Sequence, residues 1–188
     1  MSITVKHAGE YPVSCWAGGK TTELYLYPQD AEYAKRNFIF RLSSATVDCE
    51  KSTFTALPGV HRLIMPLQGE MHLSFEGHGE KTLQPFEQTS FDGGWNTVSV
   101  GKATDFNLML RQGAQGSMEV LSLAAQESKT ICGHENEFTA VYIAQGSCGG
   151  SFQLDTASLL MMQGREQILL ENNRGEACRL ICTRIKLA

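Results

Sequence analysis

Arg62 is the residue whose position most needs a chemical explanation. It lies between Val60 and Leu63-Ile64-Met65, in a segment read as an apolar strand from Val60 to Leu67. A buried charge without a partner is very costly, so this cation needs a carboxylate of the chain or an anionic ligand. Glu23 and Asp105 are the internal partners the chain offers. The alternative is a planar guanidinium fork that holds a ligand carboxylate through two parallel N–H donors. Arg41 also falls in mid-strand, within Phe38-Ile-Phe-Arg-Leu-Ser-Ser-Ala-Thr-Val47. It is either a second carboxylate clamp or the ion-pair partner that orients Glu23. Asp105 and Asn107 are two apart and share one face of a strand, where they fix the polar end of a ligand or satisfy backbone. Trp16, beside Gly18-Gly19, is a pocket wall or an ordinary core tryptophan.

Other chemistries find less support. Glu70 and His72 share a strand face, and His61 comes near them if the two strands pair, which makes a weak two-histidine, one-carboxylate metal site. No His-x-His occurs, and the expectation is a protein without metal or other cofactor. Ser43 or Ser44 with His61 and Asp105 can be named as a triad, but no Gly-x-Ser-x-Gly elbow presents a nucleophile. Gly18-Gly19-Lys20-Thr21 ends like a phosphate loop, yet Ser14 stands where its first glycine is required and no βαβ pattern follows. Acid–base chemistry by Glu23 or His61 on a bound acid stays open.

These side chains need strands to hold them, and the chain reads almost wholly as strands and turns. Pro58-Gly59 and Gln68-Gly69 bracket the Arg62 strand, and Met71 to Phe75 returns beside it. Leu24 and Leu26 alternate with Tyr25 and Tyr27 until Pro28 stops the run. Ala31 to Arg36 is read as a short helical turn. After Gly113-Ala-Gln-Gly-Ser117, read as a linker, short strands continue at 118–123, 138–144, 151–154, 158–162, 167–171 and 178–185. That spacing, with no long amphipathic helix, predicts an all-β antiparallel sandwich or barrel. The expected organisation is residues 1–112 and 113–188, two halves of one compact unit that can exchange a strand.

Composition sets the outer limits. The chain has 188 residues, 42% hydrophobic and 19% charged, an ordinary globular balance. A net charge of −4 argues against a nucleic-acid binder, which needs a basic stripe. Neither a membrane-spanning stretch nor a signal peptide is read, so the expected location is cytoplasmic. The six cysteines, lacking zinc spacing, are read as free core thiols.

Trp16-Ala-Gly-Gly-Lys-Thr-Thr-Glu23, Arg41-Leu-Ser-Ser-Ala45, Phe54, Pro58-Gly-Val-His-Arg62, Leu67-Gln-Gly-Glu-Met71, Pro85-Phe86 and Asp105-Phe-Asn107 follow one another in an order that resembles the HutD/Ves family. The likeness covers roughly residues 10 to 112, as an ordered set of individually weak motifs. It implies a bicupin: two antiparallel cupin-type β-barrels in one chain. It also implies a link to histidine utilisation or stress response, through binding of a small carboxylate of the N-formylglutamate or urocanate class. The family arginine matching Arg62 would face the pocket. The family's Asn-Gly-Gly-Gly-type loop is Ala17-Gly18-Gly19-Lys20 here, so the preference for a ligand can differ. The expected ligand-binding set is Arg62, Arg41, Trp16, Glu23, Asn107 and Asp105. The competing reading is a cupin enzyme, acid–base or metal-dependent, on a similar acid. Homodimerisation is left open.

Overall fold

The computed structural model describes residues 2–188. Every strand pairing in it is antiparallel, and its helical content is one 3-10 turn at Tyr33–Lys35, inside the predicted segment. In chain order, β1 is Ser2–Lys6, β2 Val13–Trp16, β3 Gly19–Tyr27, β4 Phe40–Val47, β5 Lys51–Thr53, β6 His61–Gln68 and β7 Met71–Phe75. β8 is Gly79–Leu83, β9 Thr89–Asp92, β10 Thr97–Val100 and β11 Ala103–Leu110. There follow β12 Gln115–Leu123, β13 Ser128–Cys132, β14 Glu137–Gln145, β15 Ser147–Gly150, β16 Leu154–Asp155, β17 Leu159–Gln163, β18 Gln167–Glu171 and β19 Cys178–Lys186.

The chain divides into two compact units, Pro12–Ala114 and residues 2–11 together with Gln115–Ala188. The expected division was 1–112 and 113–188. In the structure β1 leaves the first of these segments and pairs with β17 from Ser2↔Gln163 to Lys6↔Leu159.

The Pro12–Ala114 unit has a six-stranded sheet in the order β2-β3-β4-β11-β6-β9 and a four-stranded sheet β5-β10-β7-β8. Its central strands have a strict two-residue alternation. One face carries Phe40, Leu42, Met65, Phe106 and Leu108, each fully buried. The other face is polar, and the register stacks it in rows. Arg41, Met109 and Arg62 are cross-strand neighbours, as are Ser43, Asn107 and Ile64, then Ala45, Asp105 and Pro66. Since side chains on one strand point to alternate faces, a slip of one residue would bury the wrong set. The turn after β6 is held by Gly69, with φ +77°, where a Cβ would stand 2.2 Å from the Lys102 carbonyl oxygen.

The second unit has a five-stranded sheet β1-β17-β14-β19-β12 and a four-stranded sheet β13-β18-β15-β16. Its core is mainly apolar and holds no buried charge among the described residues. Leu121, Leu123, Val141, Ile143, Leu160, Met162 and Leu180 meet Ile131, Leu154, Ile168 and Leu170 in one cluster.

Several strands differ from the sequence reading. β2, β5 and β13 were not predicted: they are short and mostly exposed, so they carry little apolar alternation. The strand expected at 151–154 is instead β15 and β16. Gly149 and Gly150 pair with β18. The cysteines are free, but only Cys148, Cys178 and Cys182 are buried; Cys15 and Cys132 are exposed and Cys49 is half-buried, so the core reading is corrected for these three.

Candidate functional site

The polar rows of β4, β11 and β6 form the floor of a cavity of about 350 Å³ in the Pro12–Ala114 unit. Arg41, Arg62, Asp105, Asn107 and Trp16 all line it, together with Tyr33, Ser43, Ser52, Phe54 and Met109. Its size falls within the usual range for a small-metabolite site.

The two arginines have different environments. Arg41 donates from Nε to Glu23 Oε2 at 2.8 Å and from Nη1 to Ser43 Oγ at 3.3 Å. Its guanidinium carbon lies 4.1 Å from the centre of the Tyr33 ring. Of the two roles open for Arg41, it takes the ion pair with Glu23. Glu23 thus stands behind Arg41 and does not line the cavity.

Arg62 is only 6% exposed and forms no ion pair among the described residues. Its buried Nε has no hydrogen-bond partner there either. Its guanidinium carbon lies 4.7 Å from the centre of the Phe54 ring and 5.1 Å from that of Phe91, so aromatic faces give it partial compensation. The internal pair of Arg62 with Glu23 or Asp105, one of the two readings open for it, is therefore not formed among the described residues. Glu23 is taken by Arg41 across the β3–β4 pair, while Asp105 sits two rows away from Arg62 across the β11–β6 pairing.

Asp105 and Asn107 are each 3% exposed, and the Oδ1 of each lacks a hydrogen-bond partner among the described residues. Burial pushes the Asp105 carboxyl up to about 7, against the opposing pull of Arg62, the Ala45 backbone amide and Arg41. Burial likewise draws Arg62 down to about 10, still cationic at neutral pH. A desolvated guanidinium, an amide and a carboxyl poised to titrate, all facing one small cavity, make an arrangement that binds an anion and can exchange a proton with it.

Trp16 is not a core tryptophan. It is 41% exposed and sits at the rim, its ring against Gly18, where a Cβ would come 2.3 Å from the ring carbon Cζ3. At Gly19 a Cβ would stand 2.0 Å from the Thr46 carbonyl oxygen, so this hairpin requires its glycines for close approach.

The weak metal candidates are not brought together. His72 Nδ1 lies 2.9 Å from Thr82 Oγ1 and its Nε2 3.3 Å from Glu80 Oε2. Glu70 accepts from Gln84, and His61 is exposed beside Asp92 in the register. Among the described residues no three His, Cys, Asp or Glu side chains are placed to share a cation.

Reasoning from sequence did not bring Tyr33, Ser52 or Phe91 to the site, and it named Ser43 only as a triad candidate. Ser43 was visible as the residue two beyond Arg41 on the same strand face. Tyr33 and Phe91 reach the arginines from distant segments, for which the sequence has no signal.

The fold is that of the all-β cupin-type proteins. Bacterial pirin YhhW from Escherichia coli, solved in complex with nickel(II), superposes with a TM-score of 0.73 at 10% identity, covering 100% of both chains. The nickel belongs to that protein; among the described residues of this chain no cluster of three such donors is placed to hold a metal. A conserved protein of unknown function from Pseudomonas aeruginosa matches with a TM-score of 0.85 and 21% identity, covering 99% of this chain and all of its own. HutD from Pseudomonas fluorescens matches at 0.78 and 21%, covering 100% of both chains. The HutD family model matches residues 8–180, and the chain belongs to that family. Comparison with curated proteins finds no match.

Proposed function

We propose that the protein binds a small carboxylate in the cavity of the Pro12–Ala114 unit and acts as a sensor or modulator of histidine utilisation. Family membership supports the pathway, and the acids that fit it are of the N-formylglutamate or urocanate class. One observation carries the binding reading: Arg62 is a fully desolvated cation facing a cavity, and among the described residues its Nε has no partner and no carboxylate neutralises it by contact. Such a guanidinium gains most from an anion that supplies the missing acceptor. Arg41, already oriented by Glu23, presents its remaining N–H groups from the same row. Phe54, Tyr33 and Trp16 restrict water, which strengthens the contact.

The test is calorimetric titration of wild type and Arg62→Ala with N-formylglutamate, urocanate, glutamate and histidine. Binding of one acid, weakened in the variant by about 2–5 kcal/mol, is the expected result. If wild type binds none of them, the carboxylate reading is wrong. Asp105, a buried carboxyl that titrates near neutrality, favours a second reading as an acid–base enzyme on the same class of acid. Product analysis after incubation separates the two. Among the described residues no helix is long and apolar enough to cross a membrane. We place the site of action in the cytoplasm, where such a metabolite is consumed.

A further inference from the structure

Asp105 presents a difficulty to any anion entering this cavity. It projects from the central strand β11, two residues before Asn107 and two register rows from Arg62 and Arg41, with which it lines the same cavity, and it is 3% exposed. Its carboxyl forms no ion pair, and its Oδ1 has no partner among the described residues. An ionised Asp105 would therefore place a second negative charge in a small desolvated site beside the incoming carboxylate. Two carboxylates that share such a site do not both stay ionised.

The charges around it do not remove the conflict. From β6 it faces Arg62, and from β4 it faces Arg41, whose charge is already matched by Glu23 of β3. The 3-10 turn contributes the Tyr33 hydroxyl. β2 and residues 52–55 bring no ionisable side chain to the lining. With Asp105 ionised, Arg62 and Arg41 stand against Asp105 and against Glu23 behind the cavity wall, and the sum is zero. With Asp105 protonated, one positive charge remains, which matches a single carboxylate.

We propose that the site takes up its carboxylate ligand together with one proton, and that Asp105 is the residue that receives it. Taking a carboxylate as the ligand rests on the function proposed above. On binding, a proton passes from buffer to the Asp105 carboxylate. The resulting O–H donates to the ligand or to Asn107 Oδ1, while Arg62 holds the ligand anion. Asp105 then determines specificity: it admits one carboxylate at this end of the cavity and discriminates against ligands at alkaline pH. The cause lies in the geometry, and burial that already holds Asp105 near 7 brings the transition into the physiological range.

The experiment is titration calorimetry on the full chain at pH 6.0 and 8.5, with N-formylglutamate and acetate as probes. Their own carboxylates stay ionised throughout this range. Repeating each titration in buffers of different ionisation heat gives the number of protons taken up. From a starting value of about 7, the affinity should fall roughly thirtyfold between the two pH values. Uptake at pH 8.5 should approach one proton per ligand, and both effects should vanish in Asp105→Asn. Binding that is flat with pH and takes up no proton overturns the proton coupling and leaves the carboxylate site standing. Uptake that persists in Asp105→Asn assigns the proton to another group, and also overturns it. If neither probe binds at either pH, the inference is overturned, and the carboxylate site falls with it when urocanate, glutamate and histidine also fail to bind.

Discussion

Two buried asparagines show how the two units differ. Asn172, in the unit of residues 2–11 and Gln115–Ala188, is fully buried and donates from Nδ2 to the carbonyls of Leu123, Ala124 and Glu176 at 2.9, 3.1 and 2.8 Å. Its Oδ1 accepts from the Arg174 amide at 3.0 Å. Asn107, in the other unit, is almost as buried, yet its Oδ1 has no partner among the described residues. The contrast extends to the sheets. Val141, Ile143, Leu160 and Leu180 fill one interior with hydrocarbon; Arg41, Arg62, Asp105 and Asn107 line a cavity in the other. Similar antiparallel architecture thus serves a largely apolar packing in one unit, uncharged even where the Thr139 and Thr183 hydroxyls lack partners, and a charged interior around a cavity in the other. Burying polar groups without partners costs free energy, so the second arrangement is maintained against stability and points to a ligand. Function here belongs to a site carried by the fold, not to the fold as such.

Substitutions can break or sharpen this contrast. The largest effect is expected from Leu180→Ala in the packed core, where a fully buried leucine is lost. It should cost about 2–5 kcal/mol in denaturant unfolding and leave the dissociation constant of the bound acid unchanged. A loss of binding in a still-folded variant would show that the packed unit also shapes the site.

The pH dependence of stability comes next. The Asp105 carboxyl is raised to about 7 in the folded state, so between about pH 4 and 7 the folded protein holds a proton that the unfolded chain has released. Stability from this group is full below pH 4, falls as pH rises to 7, and is then constant. Comparing denaturant curves of wild type and Asp105→Asn across that window should show a difference in slope amounting to about 3–4 kcal/mol. Parallel curves would mean that Asp105 titrates normally.

Arg62→Met keeps much of the side-chain volume and removes the desolvated charge. Below pH 7, where Asp105 is neutral, the variant should be about 1–3 kcal/mol more stable in chemical denaturation, although it loses the ligand. Destabilisation would show that Arg62 is a structural cation held by Phe54 and Phe91. The smallest effect is expected from Glu23→Gln. Its ion pair with Arg41 is partly exposed on the Glu23 side, so the loss should be on the order of 1 kcal/mol by thermal unfolding. Binding should weaken several-fold because Arg41 loses its orientation.

How much of this was legible beforehand follows from the range of each interaction. Strand alternation is local, so the faces of β4 and β11, and with them Arg41, Asp105 and Asn107 as one-sided residues, could be read directly. The glycines at 59 and 69 marked the turns around Arg62 for the same reason. Trp16 could not be assigned, because the choice between core and rim depends on what covers β2. The choice of Glu23 as Arg41's partner, and the absence of a carboxylate contact for Arg62, depended on register across β3, β4, β11 and β6. Glu23 and Arg41 lie 18 residues apart, and Asp105 lies more than twice as far beyond Arg62 in the chain.

The amino-acid sequence by itself determined an all-β chain, its turns, and a family resemblance carried by ordered motifs that placed Arg62 at the centre of interest. Those properties follow from backbone conformation and side-chain periodicity, which act over a few residues. Only the tertiary structure decided that β1 joins the second unit, that Arg41 and not Arg62 pairs with Glu23, and that Asp105 is buried deeply enough to titrate near neutrality. Sheet order, desolvation and charge proximity arise between distant segments, and they exist only once the strands have paired.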